Sequence, residues 1–250
     1  MNKRIMKFLI CIGGEEFSKQ TITFGGNMAE ALNADISVLY VGTPPPRSVR
    51  NEMQLSREKL SEWEIDHPGV KVLRYARDVL MGMKIVKVLE TGEIVQRHSL
   101  KPDIKGAYEL HIYGIKGEDI RLRLREGDIV HEIKKEVEVG KYDVAFLGAS
   151  KDRRLIHKIV QFVDCTLFIV KNIRDIKYKL LFCVDDSQGA KKAVEVGSRL
   201  AKFFDAEVVA LSVAETDDKK DVVKDWLTFT SKLLKRAGIR FNPKVTVGDV

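Results

Sequence analysis

The sequence predicts an α/β protein on a doubly wound, open parallel sheet, with its opening element written twice. Residues 7–41 and 179–213 align without a gap at a constant spacing of 172. Lys7, Leu9, Cys11, Lys19, Gly25, Ala29, Ala34, Leu39 and Val41 recur as Lys179, Leu181, Cys183, Lys191, Gly197, Ala201, Ala206, Leu211 and Val213. Each copy reads as an apolar strand, a polar turn, a helix and a second apolar strand. At that length the unit is a right-handed parallel crossover.

In the first copy, the unbroken apolar run 8–12 suits a strand covered on both faces. Gly13-Gly14-Glu15-Glu16 turns the chain. Ile22, Gly25, Met28, Ala29 and Leu32 then fall at helical spacing over 18–32, with small residues where the helix packs on the sheet. Residues 36–41 form the second strand. Pro44-Pro45-Pro46 breaks the chain, a helix is expected over 49–65, and Val72, Tyr75, Ala76, Val79, Leu80 and Met83 mark another amphipathic helix. From Lys84 to Arg125, four short runs (85–89, 93–97, 107–113 and 119–124) are split by Thr91-Gly92, Lys105-Gly106 and Lys116-Gly117. They predict an antiparallel meander with one polar face. Its Tyr108, His111, Tyr113, Arg121, Arg123 and Arg125 alternate, so that face is aromatic and basic, a solvated surface or a site for a protein or RNA partner.

The doubly wound pattern then resumes, with helix 129–139, strand 142–147, helix 153–163 and strand 166–170. The second copy runs strand 179–184, helix 188–204, strand 207–213, helix 219–236 and strand 240–247. Gly248-Asp249-Val250 repeats Gly127-Asp128-Ile129 at a spacing of 121, about 51 residues fewer than 172, which places an insertion at roughly 66–118. The second copy lacks counterparts of 130–170. Half a doubly wound sheet leaves apolar faces uncovered, so either a longer chain or another chain is expected to complete it. The domains are therefore 1–173, with the inserted helix and meander, and 174–250.

A net charge of +7 hints at an anionic partner but fits equally a solvated Lys/Glu-rich surface. Cys11, Cys165 and Cys183 each adjoin an apolar run, as reduced thiols buried in a cytoplasmic protein would. His67, His98, His111, His131 and His157 are scattered without metal-ligand spacing, and His111 and His131 read as lone surface residues, so no metal site is expected. No apolar run reaches the roughly 18 residues of a membrane span. Without a Ser-His-Asp order, paired-carboxylate motif or Cys-His signature, no hydrolytic chemistry is indicated. Gly13-Gly14 with Ser18 is too widely spaced for the loop of an ATP pyrophosphatase.

The order of elements, the repeat and the segment Gly127-Asp128-Ile129…142–148-Ala149-Ser150…165–170 resemble the universal stress protein family. So does Asp185-Asp186-Ser187 after the strand of the second copy. The resemblance implies an open parallel sheet of the adenine-nucleotide alpha-hydrolase type and a homodimer. In nucleotide-binding members it also implies an Asp after the first strand and a G-x2-G-x9-G-[ST] phosphate loop after the fourth. Carried onto this chain, the pattern marks Gly127, Gly148, Ser150, Lys151, Arg153, Arg154, Asp185, Asp186 and Ser187. The first copy departs from it: its turn is Gly13-Gly14 instead of acidic, Lys151 replaces the second glycine, and the loop is about eight residues short, so the Gly-Ser/Thr pair falls on Arg153-Arg154. Lys151, Arg153, Arg154 and Lys158 form either a charge-based anion site or a solvated helix start capped by Ser150 or Asp152. Asp185-Asp186-Ser187 is either a ribose or cation contact or an Asx turn.

The resulting expectation is a non-catalytic, dimeric stress-response protein with a degenerate nucleotide site and no required cofactor, working through a partner bound at 84–125. The alternatives are an ATP- or AMP-binding protein whose site is completed in a longer chain or dimer, and a nucleic-acid-binding stress factor.

Overall fold

The computed structural model describes residues 5–13, 15–42, 68–102, 107–149, 153–171 and 177–248. The helix expected at 49–65 lies outside them. The chain divides into two compact units, Met1–Ile173 and Arg174–Val250.

In the first unit the strands are β1 (Lys7–Ile12), β2 (Asp35–Gly42), β3 (Gln96–Pro102), β4 (Tyr108–Tyr113), β5 (Asp119–Glu126), β6 (Val144–Gly148) and β7 (Thr166–Val170). They form one sheet in the order β3-β4-β5-β2-β1-β6-β7. All neighbours from β5 to β7 pair in parallel, while β3-β4 and β4-β5 are antiparallel. Helices α1 (Glu15–Leu32) and α2 (Pro68–Gly82) pack on each other and on the sheet. Helices α3 (Ile129–Gly140) and α4 (Arg153–Phe162) pack together, and the opposite strand parity places them on the other face. This follows from right-handed crossovers: β1-β2-β5 advances one way across the sheet, and β5-β6-β7 returns the other way.

The meander's last strand does more than the sequence reading assigned to it. Residues 119–126 pair antiparallel with β4 as expected, and β5 also pairs in parallel with β2, from Ile36 with Ile120 to Gly42 with Glu126. Helix α2 lies on the connection between those strands, and β3 and β4 continue the sheet as antiparallel strands. The alternation was visible in the sequence, but a strand with one parallel and one antiparallel neighbour alternates like any other.

The face expected to be solvated is covered. Arg123 and Arg125 stand opposite Leu39 and Val41 on the face that α3 packs against. Arg123 is 5%, Arg125 1% and Glu136 of α3 1% exposed. Glu136 pairs with Arg125 Nε at 2.6 Å and Arg123 Nε at 2.8 Å, and accepts a hydrogen bond from Tyr142 Oη at 2.9 Å. Glu132 lies 3.3 Å from Arg125, and Glu109 pairs with Arg123. Buried guanidinium groups require such partners.

In the second unit, β8 (Lys179–Cys183), β9 (Glu207–Ala214) and β10 (Phe241–Val247) form a parallel sheet in the order β10-β9-β8, with α5 (Gln188–Phe203) and α6 (Lys220–Arg236) as crossovers. The β8-β9 register runs from Lys179-Glu207 to Cys183-Leu211, and β1-β2 pairs Lys7-Asp35 to Cys11-Leu39. Cys183 is exposed and Cys165 half-buried, so only Cys11 is the buried thiol expected of all three. Burial, with a further contribution from Cys165, pushes the Cys11 thiol far above its ordinary range.

Candidate functional site

Parallel sheets bind ligands at the carboxyl ends of their strands, where the direction of winding reverses. In the first unit that point lies between β1 and β6, and a cavity of about 300 Å³ opens there. Cys11, Ile12 and Gly13 close one wall, and Leu147, Gly148 and Ala149 the facing one. Ile133 of α3 and Ile156 and Ile159 of α4 form a lid, and Ser18 and Thr21 of α1 supply hydroxyls. None of its described lining side chains is charged. The cavity can hold an apolar or aromatic group, but its described lining offers no cation for a phosphate.

The expected site residues divide between the two units. Gly148 and Ala149 line the cavity, and the Ala149 N–H is held by Val170 O at 2.8 Å. Arg154 is exposed in the first turn of α4. Ser150, Lys151 and Asp152, and the side chain of Arg153, lie outside the described residues, as does Gly14. Gly127 has φ +147°, a region that favours glycine, and donates to Gly42 O at 3.0 Å. Asp128 then caps α3, its carboxylate accepting from His131 N at 2.9 Å. Gly127 and Asp128 therefore turn the chain from strand to helix.

In the second unit, Asp185 Oδ1 accepts from Ser187 N at 2.9 Å, and Ser187 Oγ accepts from Ala190 N at 3.0 Å, an Asx turn feeding an N-cap. The Ser187 hydroxyl, and next its N–H, hold the Asp185 carboxyl below its ordinary range. Asp185 and Asp186 also border a cavity of about 290 Å³ with Lys191, Asp225 and Trp226. Thr230, fully buried on α6, lines the same cavity, and its hydroxyl has no hydrogen-bond partner among the described residues.

His111 is not a lone surface residue. It is 3% exposed, its Nε2 lies 2.8 Å from Asp119 Oδ1, and its ring stands 5.6 Å from that of His98. Burial opposes ionisation of Asp119, but the hydrogen bond and charge of His111, together with Arg121, hold its carboxyl below the usual range. Sequence spacing missed this cluster because His98 and His111 meet only through the pairing of β3 with β4.

No family model matches the chain. A universal stress protein of Synechocystis is 22% identical over 260 aligned residues, covering 96% of this chain and 80% of that protein. The fold matches a universal stress protein from Archaeoglobus fulgidus at a TM-score of 0.57 and 16% identity, over 96% of this chain and 77% of the other. The chain has the fold of the universal stress proteins. A Pseudomonas aeruginosa protein assigned to the same class aligns at a TM-score of 0.56 and 10% identity, over 98% of this chain and 75% of its own. In the first unit the parallel strands and their crossovers form the core, and β3 and β4 extend its sheet beyond β5. No helix among the described residues is long and apolar enough to cross a membrane.

Proposed function

We propose that this is a non-catalytic stress-response protein whose first-unit nucleotide cleft is degenerate, acting as a homodimer and through a partner bound at 84–125. The observation that carries this reading is the lining of the cavity between β1 and β6. It keeps the shape of a ligand site at the right place in the fold, yet its described walls are aliphatic. Gly13 stands where the second unit has Asp185, and the expected phosphate glycine is Lys151. A partner surface at 84–125 is supported by Val88, Leu89 and Ile115, large apolar side chains exposed in the chain flanking β3 and β4.

We further read the units as copies of one element, over 1–173 and 174–250. The shared register supports this, as do Asn33 and Asp205, 172 residues apart with φ of 49° and 45°. Gly25 packs on Ile10, and Gly197 packs on Phe182 at the corresponding position.

The second reading is an ATP- or AMP-binding protein with its site completed in a longer chain or across a dimer. The cavity beside Asp185 favours it, because an acidic side chain there can accept ribose hydroxyls. The nucleic-acid reading rests on the net charge of +7 and finds no support in Arg123 and Arg125, which are buried and ion-paired.

The test is mass spectrometry of small molecules released on denaturing the purified chain, then calorimetric titration with ATP and AMP. No released nucleotide and no saturable heat are expected. Micromolar binding that is lost in Arg154→Ala or Asp185→Ala would establish the second reading instead.

A further inference from the structure

The added strands bring together a set of metal-ligating groups. In the β3-β4 ladder His98 stands directly opposite His111, between two register irregularities that fall on either side of it. Glu109 is two residues from His111 and therefore on the same face. One ligand atom from each of His98, Glu109 and His111 lies within 4.8 Å of the other two. The set is sheltered: the side chains of His111, Glu109 and His98 are 4%, 15% and 19% exposed.

The distances and outer contacts suit a cation. His98 Nε2 is 3.6 Å from Glu109 Oε1, too far for a hydrogen bond. The second oxygen of each carboxylate is already held: Arg123 pairs with Glu109 Oε2, and Arg121 lies 2.9 Å from Asp119 Oδ2. That leaves Glu109 Oε1 and Asp119 Oδ1 turned toward the two imidazoles. Outer partners that fix a carboxylate in this way orient it as a ligand. Glu136, which also pairs with Arg123, limits the accumulation of positive charge.

We propose that His98, His111 and Glu109 bind zinc or a similar borderline divalent cation, with Asp119 as the outer partner that orients His111. Two imidazole nitrogens and a carboxylate oxygen match zinc, while calcium and magnesium favour sites made of oxygen alone. Ligand distances of about 2.0–2.2 Å imply ligand atoms roughly 3.4 Å apart, so the set closes inward by side-chain rotation on binding. His111 turns one ring nitrogen to the metal while Asp119 stays its outer partner. The ion clips β3, the outermost strand, to β4.

The experiment uses the full chain, stripped with a chelator and titrated with cobalt(II), then zinc. One equivalent of cobalt giving the visible absorption of a low-coordinate N/O site, displaced by one equivalent of zinc, is expected. A zinc dissociation constant in the micromolar range or tighter and a raised melting temperature are also expected. His98→Ala, on the edge strand, should weaken zinc binding about tenfold or more, with the circular dichroism of the unbound protein unchanged. Glu109→Gln should do the same while keeping the side chain's shape. Absence of stoichiometric binding, or binding that survives both substitutions, overturns the proposal.

Discussion

In the first unit β1 lies between β2 and β6, with helices on both faces; in the second, β8 is an edge strand of a three-stranded sheet. The residue pairing is the same in both. Lys7 faces Asp35 as Lys179 faces Glu207, and Ala34 N donates to Ala29 O at 2.9 Å as Ala206 N does to Ala201 O at 2.8 Å. Even the third strands agree: Ile36 pairs with Ile120, and Val208 with Phe241, at spacings of 172 and 121. What differs is cover. Leu9 is fully buried, while Leu181 is 59% exposed. Backbone pairing is thus set within the β-α-β element itself, while burial depends on elements that come later in the chain.

The strongest way to break this comparison is to attack the cover peculiar to the first unit. Glu136→Gln leaves Arg125 and Arg123 without their shared carboxylate and should destabilise that unit by about 3–5 kcal/mol. Hydrogen exchange followed peptide by peptide should show the loss in 7–148 and none in 179–247. A loss spread equally over both would mean that the units do not unfold separately.

Next in size are the paired glycines. A Cβ on Gly25 would come 2.8 Å from Ile10 Cδ1, 2.9 Å from Ile10 Cγ1 and 3.3 Å from Phe146 Cγ, among fully buried side chains. After the gain in helix propensity, Gly25→Ala should cost about 1–2 kcal/mol. A Cβ on Gly197 would meet the tip of the Phe182 ring at 2.7 Å, but Phe182 is only half-buried and can swing away. Gly197→Ala should therefore be close to neutral in urea denaturation. Equal costs would show that the second unit is packed as tightly as the first.

Removing the cap of α5 by Ser187→Ala should lower the stability of the second unit by about 1 kcal/mol, seen as faster exchange at 188–192. The smallest effects sharpen the likeness. Asn33→Gly and Asp205→Gly relieve the same left-handed backbone and should each shift stability by less than about 1 kcal/mol, in the same direction. Opposite signs in thermal melts would argue against copies of one element.

The parallel frame was legible because its signals are local: apolar runs, helical spacing and a repeat within 35-residue windows. The Gly127 turn could be read for the same reason. The fate of Arg121, Arg123 and Arg125 could not, because alternation separates two faces without saying what covers each. A clue was present in Glu132 and Glu136, one helical turn apart on α3, but their meeting with β5 depends on the crossover that brings α3 onto that face. The pairing of His98 with His111 depended in turn on ladder irregularities that no spacing rule anticipates. At the cleft, the substitutions at Gly13 and Lys151 were readable, whereas the aliphatic wall from α3 and α4 emerged only once the helices were placed.

The matched cysteines give each unit its own chemical clock. Cys183 is open to solvent, while Cys11, at the corresponding strand position, is buried and its thiol resists ionisation. An alkylating reagent should mark Cys183 at once and reach Cys11 only when the first sheet opens. The rate at which Cys11 itself is labelled, read on its own peptide apart from the half-buried Cys165, then times the opening of that sheet, without a probe having to be introduced.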